Sequence, residues 1–400
     1  MASLYVLCGL QCSGKSTKAK QIRDENGFNS SIIISSDEIR KEFPEYENDK
    51  VFKVLYKRMN EELAKNKTVI VDATNTTIKS RMKLLENIKH PISVYKICLI
   101  INTPYNICLE RLRIRNKKEN YHFVPENVLK EYYDSFEIPF KEEGWDSICF
   151  DTNQNGKTSS KYLNELFSRA RYFNQYHENH TQLLGEHLES TYNYINNLSI
   201  NRASKRILLQ SAKYHDIGKL FTQTFKEGDA NAHYYSHGNV GVYNLMCYAG
   251  ILDSWGINTY DTLDWLFYIN YHMKMHDIKT SKAKNKWIKI FGEEKFKNLE
   301  LLHEADCFRP TEQTNQDESE PKVNKESNDD FVEKIKTDTM DLELYMQSIK
   351  NRLWNYEPVR ANSTSGSGVY WCSTDIPPLE MRPISEIRNG GFIMDDELPY

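Results

Sequence analysis

The chain has 400 residues, more than one hydrophobic core usually organises, and its 39% hydrophobic and 12% aromatic content supplies material for two. A formal charge of −4 excludes nucleic-acid binding by overall basicity, so any such contact must come from local patches. No N-terminal apolar leader and no run of about 18 apolar residues is present, which argues against secretion and membrane spanning. The eight cysteines lack CxxC pairs, which argues for reduced thiols and a cytoplasmic setting.

From residue 1 to 152, short apolar runs alternate with amphipathic stretches. Leu4 to Leu7, Ile32 to Ile34, Val69 to Val71 and Val94 to Ile101 read as buried parallel strands, and the alternation predicts a doubly wound α/β domain. GLQCSGKST follows the first strand and fits GxxxxGK[ST] with a helix after it. Glycines in such a loop let backbone amides approach phosphate oxygens, while the lysine reaches the β and γ phosphates and the serine holds magnesium. Gly9, Gly14, Lys15, Ser16 and Thr17 are therefore the candidate nucleotide-binding residues, with ATP and Mg2+ as expected cofactors.

Phosphoryl transfer also needs a base for the acceptor, a carboxylate supporting magnesium, and cations for the charge in transit. Asp37 follows the second strand in ISSDEIRKE, with Arg40 on the same helical face. Asp72 ends a strand in VIVDATNTT, at the sheet edge where α/β proteins bind ligands. Helix capping is the structural alternative for both aspartates. In CLERLRIRNKKEN, Arg111 and Arg115 share a face and suit a lid over ATP, or simply a solvated charged face.

The polar stretch DTNQNGKTSS, residues 151–160, reads as a linker. From 161 to 310 the apolar spacing of LNELFSRARYF, ASKRILLQSAKYH and TLDWLFYINYHM predicts an all-α domain. His215 and Asp216 are adjacent on a predicted helix, and their side chains need partners from elsewhere to hold one ion. His187, His237, His272 and Asp306 complete an N/O donor set for Mn2+, Fe2+, Co2+, Ni2+ or Zn2+. Lys219, one turn after His215, is placed to stabilise phosphate charge. His180 and His276 read as surface or hydrogen-bonded residues. The lysines of KTSKAKNKWIK surround Trp287 and suit either a single-stranded nucleic acid or a solvated loop. Residues 311–400 read as an acidic, partly disordered linker, a short helix near Phe331 to Trp354, and an irregular tail.

The strings GLQCSGKST, SSDEIR, VIVDATNTTIKSR, RNKKENYHFVP and EGWDSICFDT, in that order, resemble the polynucleotide kinase family of P-loop phosphotransferases across essentially the whole first domain. The resemblance implies that Asp37 is the general base, that Arg40 contacts the acceptor's phosphate, and that Arg115 is the lid arginine. The chain departs from the phage pattern at Glu119, where a second lid arginine is expected; Lys117 and Lys118 are the neighbouring cations. GEHLE, AKYHDIGK, HYYSHGNVG, INYHM and LLHEAD resemble the HD phosphohydrolase superfamily over about 180–310, with His187, His215, Asp216 and Asp306 as the H, HD, D ligands. His237 and His272 match positions that bind a second metal or the phosphate in some members. Together the resemblances imply end healing of RNA or DNA: 5′ phosphorylation of a 5′-OH, and removal of a 2′,3′-cyclic or 3′ phosphate. The products would suit a downstream ligase. Two other readings stay open: a small-molecule kinase joined to an HD nucleotidase, and a kinase regulated by an HD sensor.

Overall fold

Four successive apolar residues, Leu4 to Leu7, suit a strand covered on both faces, and the sheet they enter is parallel throughout. The computed structural model describes residues 2–118, 123–151, 157–176, 182–247 and 259–308. In the first part these form β1 (Ala2–Cys8), α1 (Lys15–Asn26), β2 (Ser31–Ser35), α2 (Ser36–Glu42), α3 (Asn48–Leu63), β3 (Thr68–Asp72), α4 (Ile78–Glu86), β4 (Val94–Ile100), α5 (Tyr105–Asn116), α6 (Glu126–Asp134) and β5 (Ser147–Phe150). The five strands lie in the order β2-β3-β1-β4-β5. A five-stranded parallel sheet flanked by helices fits a P-loop kinase domain. β5 was not among the predicted strands, because SICF is only four residues long; it pairs with β4 from Ile97↔Ser147 to Ile100↔Phe150.

One sheet face buries Leu7, Ile70, Leu99 and Ile101 with Ala19 and Ile22 of α1. The other buries Leu4, Val6, Val69, Val71, Cys98 and Ile100 in a core that continues into the helical part. Local chemistry sets the helix starts: Ser35 caps α2 by accepting from the Glu38 amide, and Thr77 and Ser80 form a capping box at α4.

The second part comprises α7 (Lys157–Arg171), α8 (Leu184–Asn197), α9 (Arg202–Tyr214), α10 (Lys219–Thr222), β6 (Thr224–Phe225), β7 (Ala232–His233), α11 (His237–Met246), α12 (Thr259–Tyr271), α13 (Lys274–Asp277), α14 (Ser281–Phe291) and α15 (Glu293–Cys307). The expectation of purely helical structure misses the antiparallel ribbon β6–β7. Gly228, at φ 78°, lies in the connection between these strands, a conformation glycine adopts without steric cost.

Both parts belong to one compact unit, Met1–Ser319. Phe140 meets Phe267 edge-on at 5.0 Å and Phe291 at 5.7 Å, while Tyr243 of α11 packs edge-on against Tyr133 and Phe136. Backbone groups are matched across this seam: Ile138 N–H donates to Asn270 Oδ1 at 2.7 Å, and Tyr243 O–H to the Thr103 carbonyl at 2.7 Å. Of the stretch read as a linker, 151–160, residues 152–156 lie outside the described residues, as do Glu119, His180 and the whole region from 309, while 157–160 already belong to α7.

Candidate functional site

β1 ends at Cys8, and the loop beyond it closes back on the sheet edge. Gly9 N–H donates to the Thr74 carbonyl at 2.9 Å, and a Cβ on Gly9 would lie 2.9 Å from the Ile101 carbonyl oxygen. Cys12 and Gly14 take positive φ, 60° and 105°, which turns the chain into α1. Lys15 is buried and donates to the loop's own carbonyls, Gly9 at 3.1 Å and Leu10 at 2.5 Å. Burial pulls its pKa down, against the opposing pull of the Asp72 carboxylate. Ser16 O–H donates to Asp72 Oδ2 at 2.7 Å. Burial pushes the Asp72 carboxyl up, tempered by Ser16 and Lys15. Thr17 is exposed on the first turn of α1.

Two observations fit this loop to a phosphate. Lys15 satisfies itself on carbonyls that a phosphate would replace, and the buried Ser13 hydroxyl has no hydrogen-bond partner. Lys15, Ser16 and Asp72 are thus the residues that would hold a nucleotide's phosphates and its magnesium.

Three further sequence candidates meet at the Asp37 carboxylate. Asp37 lies 3.2 Å from Arg40 Nη1 and 3.8 Å from Arg115 Nη2, and Arg40 also donates to Asn48 Oδ1 at 3.0 Å. Arg111 Nη1 reaches the Cys12 and Ser13 carbonyls, both at 3.4 Å. α5 is anchored near its C-terminal end by Arg113, which pairs bidentately with Glu126 at 2.7 and 2.8 Å.

Sequence reasoning assigned no role to the supports of this edge. Arg81 and Glu143 are fully buried and bidentate, at 2.8 and 2.6 Å, and Trp145 Nε1 donates to the same carboxylate at 2.9 Å. Arg81 also donates to the carbonyls of Asn75 and Glu137. Asn75, at φ 47°, donates to the Leu7 carbonyl at 2.9 Å. The signal was present: Arg81 ends the string VIVDATNTTIKSR and Glu143 opens EGWDSICFDT.

The second constellation is buried among α8, α11, α15 and the turn after α9. His215 and Asp216 do not continue that helix as the sequence suggests; they sit in the turn that links α9 to α10. Asp216 faces two ways. Its Oδ2 lies 3.3 Å from His187 Nε2 and 3.6 Å from His215 Nε2, and its Oδ1 lies 3.1 Å from His237 Nε2 and 3.3 Å from His272 Nε2. Asp306 Oδ1 closes the first group, 3.0 Å from His187 and 3.2 Å from His215. Lys219 binds Asp216 Oδ2 at 2.7 Å and donates to the buried Gln175 Oε1 at 2.7 Å, so its amine is held on that carboxylate. Gln175 had no recognisable sequence signal.

The tautomers follow from the outer partners. Nδ1 of His215, His237 and His272 each faces the backbone carbonyl three residues earlier, at 2.9, 2.8 and 2.7 Å, and must donate its proton there. Their Nε2 atoms then point inward, where His237 and His272 face each other at 3.0 Å beside Asp216. Converging lone pairs and carboxylates at these distances require a cation or a proton between them. Burial alone would lower the His187 pKa, yet Asp216 and Asp306 raise it to about 9. Burial likewise works against ionised Asp216, but Lys219 and His215 hold its carboxyl well below the usual range. The donor chemistry fits two divalent ions of the borderline class, one between His187, His215, Asp216 and Asp306, the other between Asp216, His237 and His272.

Residues 4–139 match a family model described as an AAA domain. An L-seryl-tRNA(Sec) kinase of Methanococcus maripaludis is 30% identical over 172 residues, which cover 41% of this chain and 64% of the relative. A chain of a solved Pnkp1/Rnl/Hen1 RNA repair complex is 19% identical, covering 33% of this chain and 42% of that one, with a TM-score of 0.29. A gluconokinase from Sinorhizobium meliloti 1021 is 20% identical, covering 38% and 84%, with a TM-score of 0.27. The chain thus spans less than two thirds of the first two proteins' own length. Residues 4–139, which that family model matches, hold the phosphate loop and the parallel sheet of a P-loop domain. The matched family model ends before the histidine and aspartate centre begins.

Proposed function

We propose that this P-loop kinase chain heals nucleic-acid ends, phosphorylating a 5′-OH at the sheet edge and hydrolysing a 2′,3′-cyclic or 3′ phosphate at an HD-type centre. In the kinase half, Asp37 takes the proton of the acceptor hydroxyl while Arg40, already paired to it, holds the phosphate next to that hydroxyl. Arg115, 3.8 Å from Asp37, lies where acceptor and transferring group would meet, and Lys15 exchanges its loop carbonyls for phosphate oxygens. In the second half, divalent ions of this class would, when bound, supply Lewis acidity to a phosphate ester. His187, His215, Asp216, Asp306, His237 and His272 would hold them, and Lys219 keeps Asp216 ionised and oriented.

The observation that carries the two-activity reading is the Asp216 carboxylate with one histidine pair at each oxygen, in the same compact unit as a complete phosphate loop. A chain needing only ATP chemistry has no use for that cluster.

A short RNA with 5′-OH and 2′,3′-cyclic phosphate ends, given labelled ATP, Mg2+ and Mn2+, tests both halves. Label at the 5′ end and loss of the cyclic phosphate are expected. Asp37→Ala should lower the first by about 10²–10⁴-fold and spare the second; Asp216→Asn should do the reverse. Turnover of Asp37→Ala within a few-fold of the parent would remove its role as base. The identity to an L-seryl-tRNA(Sec) kinase favours one second reading, in which the acceptor hydroxyl is carried on a charged tRNA. Label on seryl-tRNA, with none on the short RNA, would replace the first reading by it.

A further inference from the structure

Beyond the buried centre, α13 and α15 bring three more metal-ligating side chains together. The His276 and His303 rings meet edge to face with centroids 4.5 Å apart, and Cys307 Sγ lies 3.7 and 3.8 Å from the two His303 ring nitrogens. His303 and Cys307 are one turn apart on α15 and so share a face. One donor atom from each of the three residues lies within 4.8 Å of the others. His276 and Cys307 are exposed and His303 is half-buried, so these side chains can rotate onto an ion.

We propose that His276, His303 and Cys307 form a separate site for a borderline-soft divalent cation of the zinc class, with solvent completing the coordination. The donor chemistry decides the class: a thiolate with two imidazoles selects zinc or cobalt over magnesium or manganese, whereas the buried centre offers only nitrogen and oxygen. Metal–ligand lengths of about 2.0–2.3 Å place tetrahedral donors roughly 3–4 Å apart, a small adjustment from the present spacing. The position has a mechanical consequence. α13 begins two residues after His272, and α15 carries Asp306 beside Cys307, so an ion here would tie the helix that bears Asp306 to the segment that directly follows His272. The inference stands on its own geometry and does not depend on the activity assigned to that centre.

Cobalt titration of the full chain tests it, because a thiolate-to-cobalt charge-transfer band in the near ultraviolet requires a sulfur ligand, which the buried centre lacks. The band should saturate at one cobalt per chain, fall when zinc is added, vanish in Cys307→Ser, weaken in His276→Ala, and persist in Asp216→Asn. Circular dichroism checks that each variant keeps its fold. A parent protein without the band overturns the proposal. So does a band that survives Cys307→Ser, which would assign it to another of the eight cysteines, or one lost with Asp216→Asn, which would make the two clusters a single centre.

Discussion

Arg81 is the most constrained charge in the sheet half. Removing two ions from water costs several kcal/mol each, and the site recovers this only because every group has a partner. The guanidinium meets both Glu143 oxygens and the backbone carbonyls of Asn75, Glu137 and Ile138, and Trp145 completes the carboxylate. Glu143 in turn holds the Arg81 pKa above its usual value despite full burial. Arg81→Met would leave Glu143 buried and unpaired, and should cost about 3–5 kcal/mol in urea unfolding. Adding Glu143→Leu should recover only part of this, because the Asn75 and Glu137 carbonyls lose their donor in both variants. Full recovery in the double variant would show that the pair is replaceable packing rather than the support of the Asn75 turn beside the phosphate loop.

The close approach of two helical segments governs the second centre. Gly218 has ordinary helical φ, so its need for glycine comes from space: a Cβ there would press into the His237 carbonyl and sit 2.8 Å from the Gly241 amide nitrogen. The turn carrying His215 and Asp216 can therefore lie against the start of α11, where His237 faces Asp216. Gly218→Ala should destabilise the protein by about 1–3 kcal/mol, as overpacking does, and lower its manganese affinity although no ligand is changed. Unchanged thermal unfolding and metal binding would mean that the two segments have room to spare. The same comparison explains what the sequence made legible. The phosphate loop, four of the strands and the six histidines and aspartates that cluster around Asp216 were readable because each is a short string with fixed spacing or an apolar run. β5 was too short for periodicity to register, and the ribbon β6–β7 has two residues per strand. Gln175, Thr103 and the Arg81–Glu143 pair were not legible because their partners lie far away in sequence, 44 residues for Gln175–Lys219 and 62 for Arg81–Glu143.

At the scale of the whole molecule, the seam between sheet and helices is packed like an interior. Phe136, Ile138 and Phe140 of the sheet half are fully buried, against Tyr243, Phe267 and Phe291 from the helical half. Hydrogen bonds follow the same route: Thr103 O–H donates to the Ser13 carbonyl in the phosphate loop, and Thr103 accepts from Tyr243 on α11, the helix that begins with His237. Two halves joined this way should open together, although linked domains in general move independently when their interface is small and polar. Hydrogen exchange in low denaturant should then report the same opening free energy for β1 and for α12. Only residues of the sheet half contact the nucleotide in our reading, so nucleotide is a selective probe of the linkage. At about 100 times its dissociation constant it should add about 2.7 kcal/mol to the protection of β1, and, if the seam holds, the same amount to α12. Protection gained by β1 alone would mean that the helical half opens separately and that occupancy at one site is not transmitted to the other.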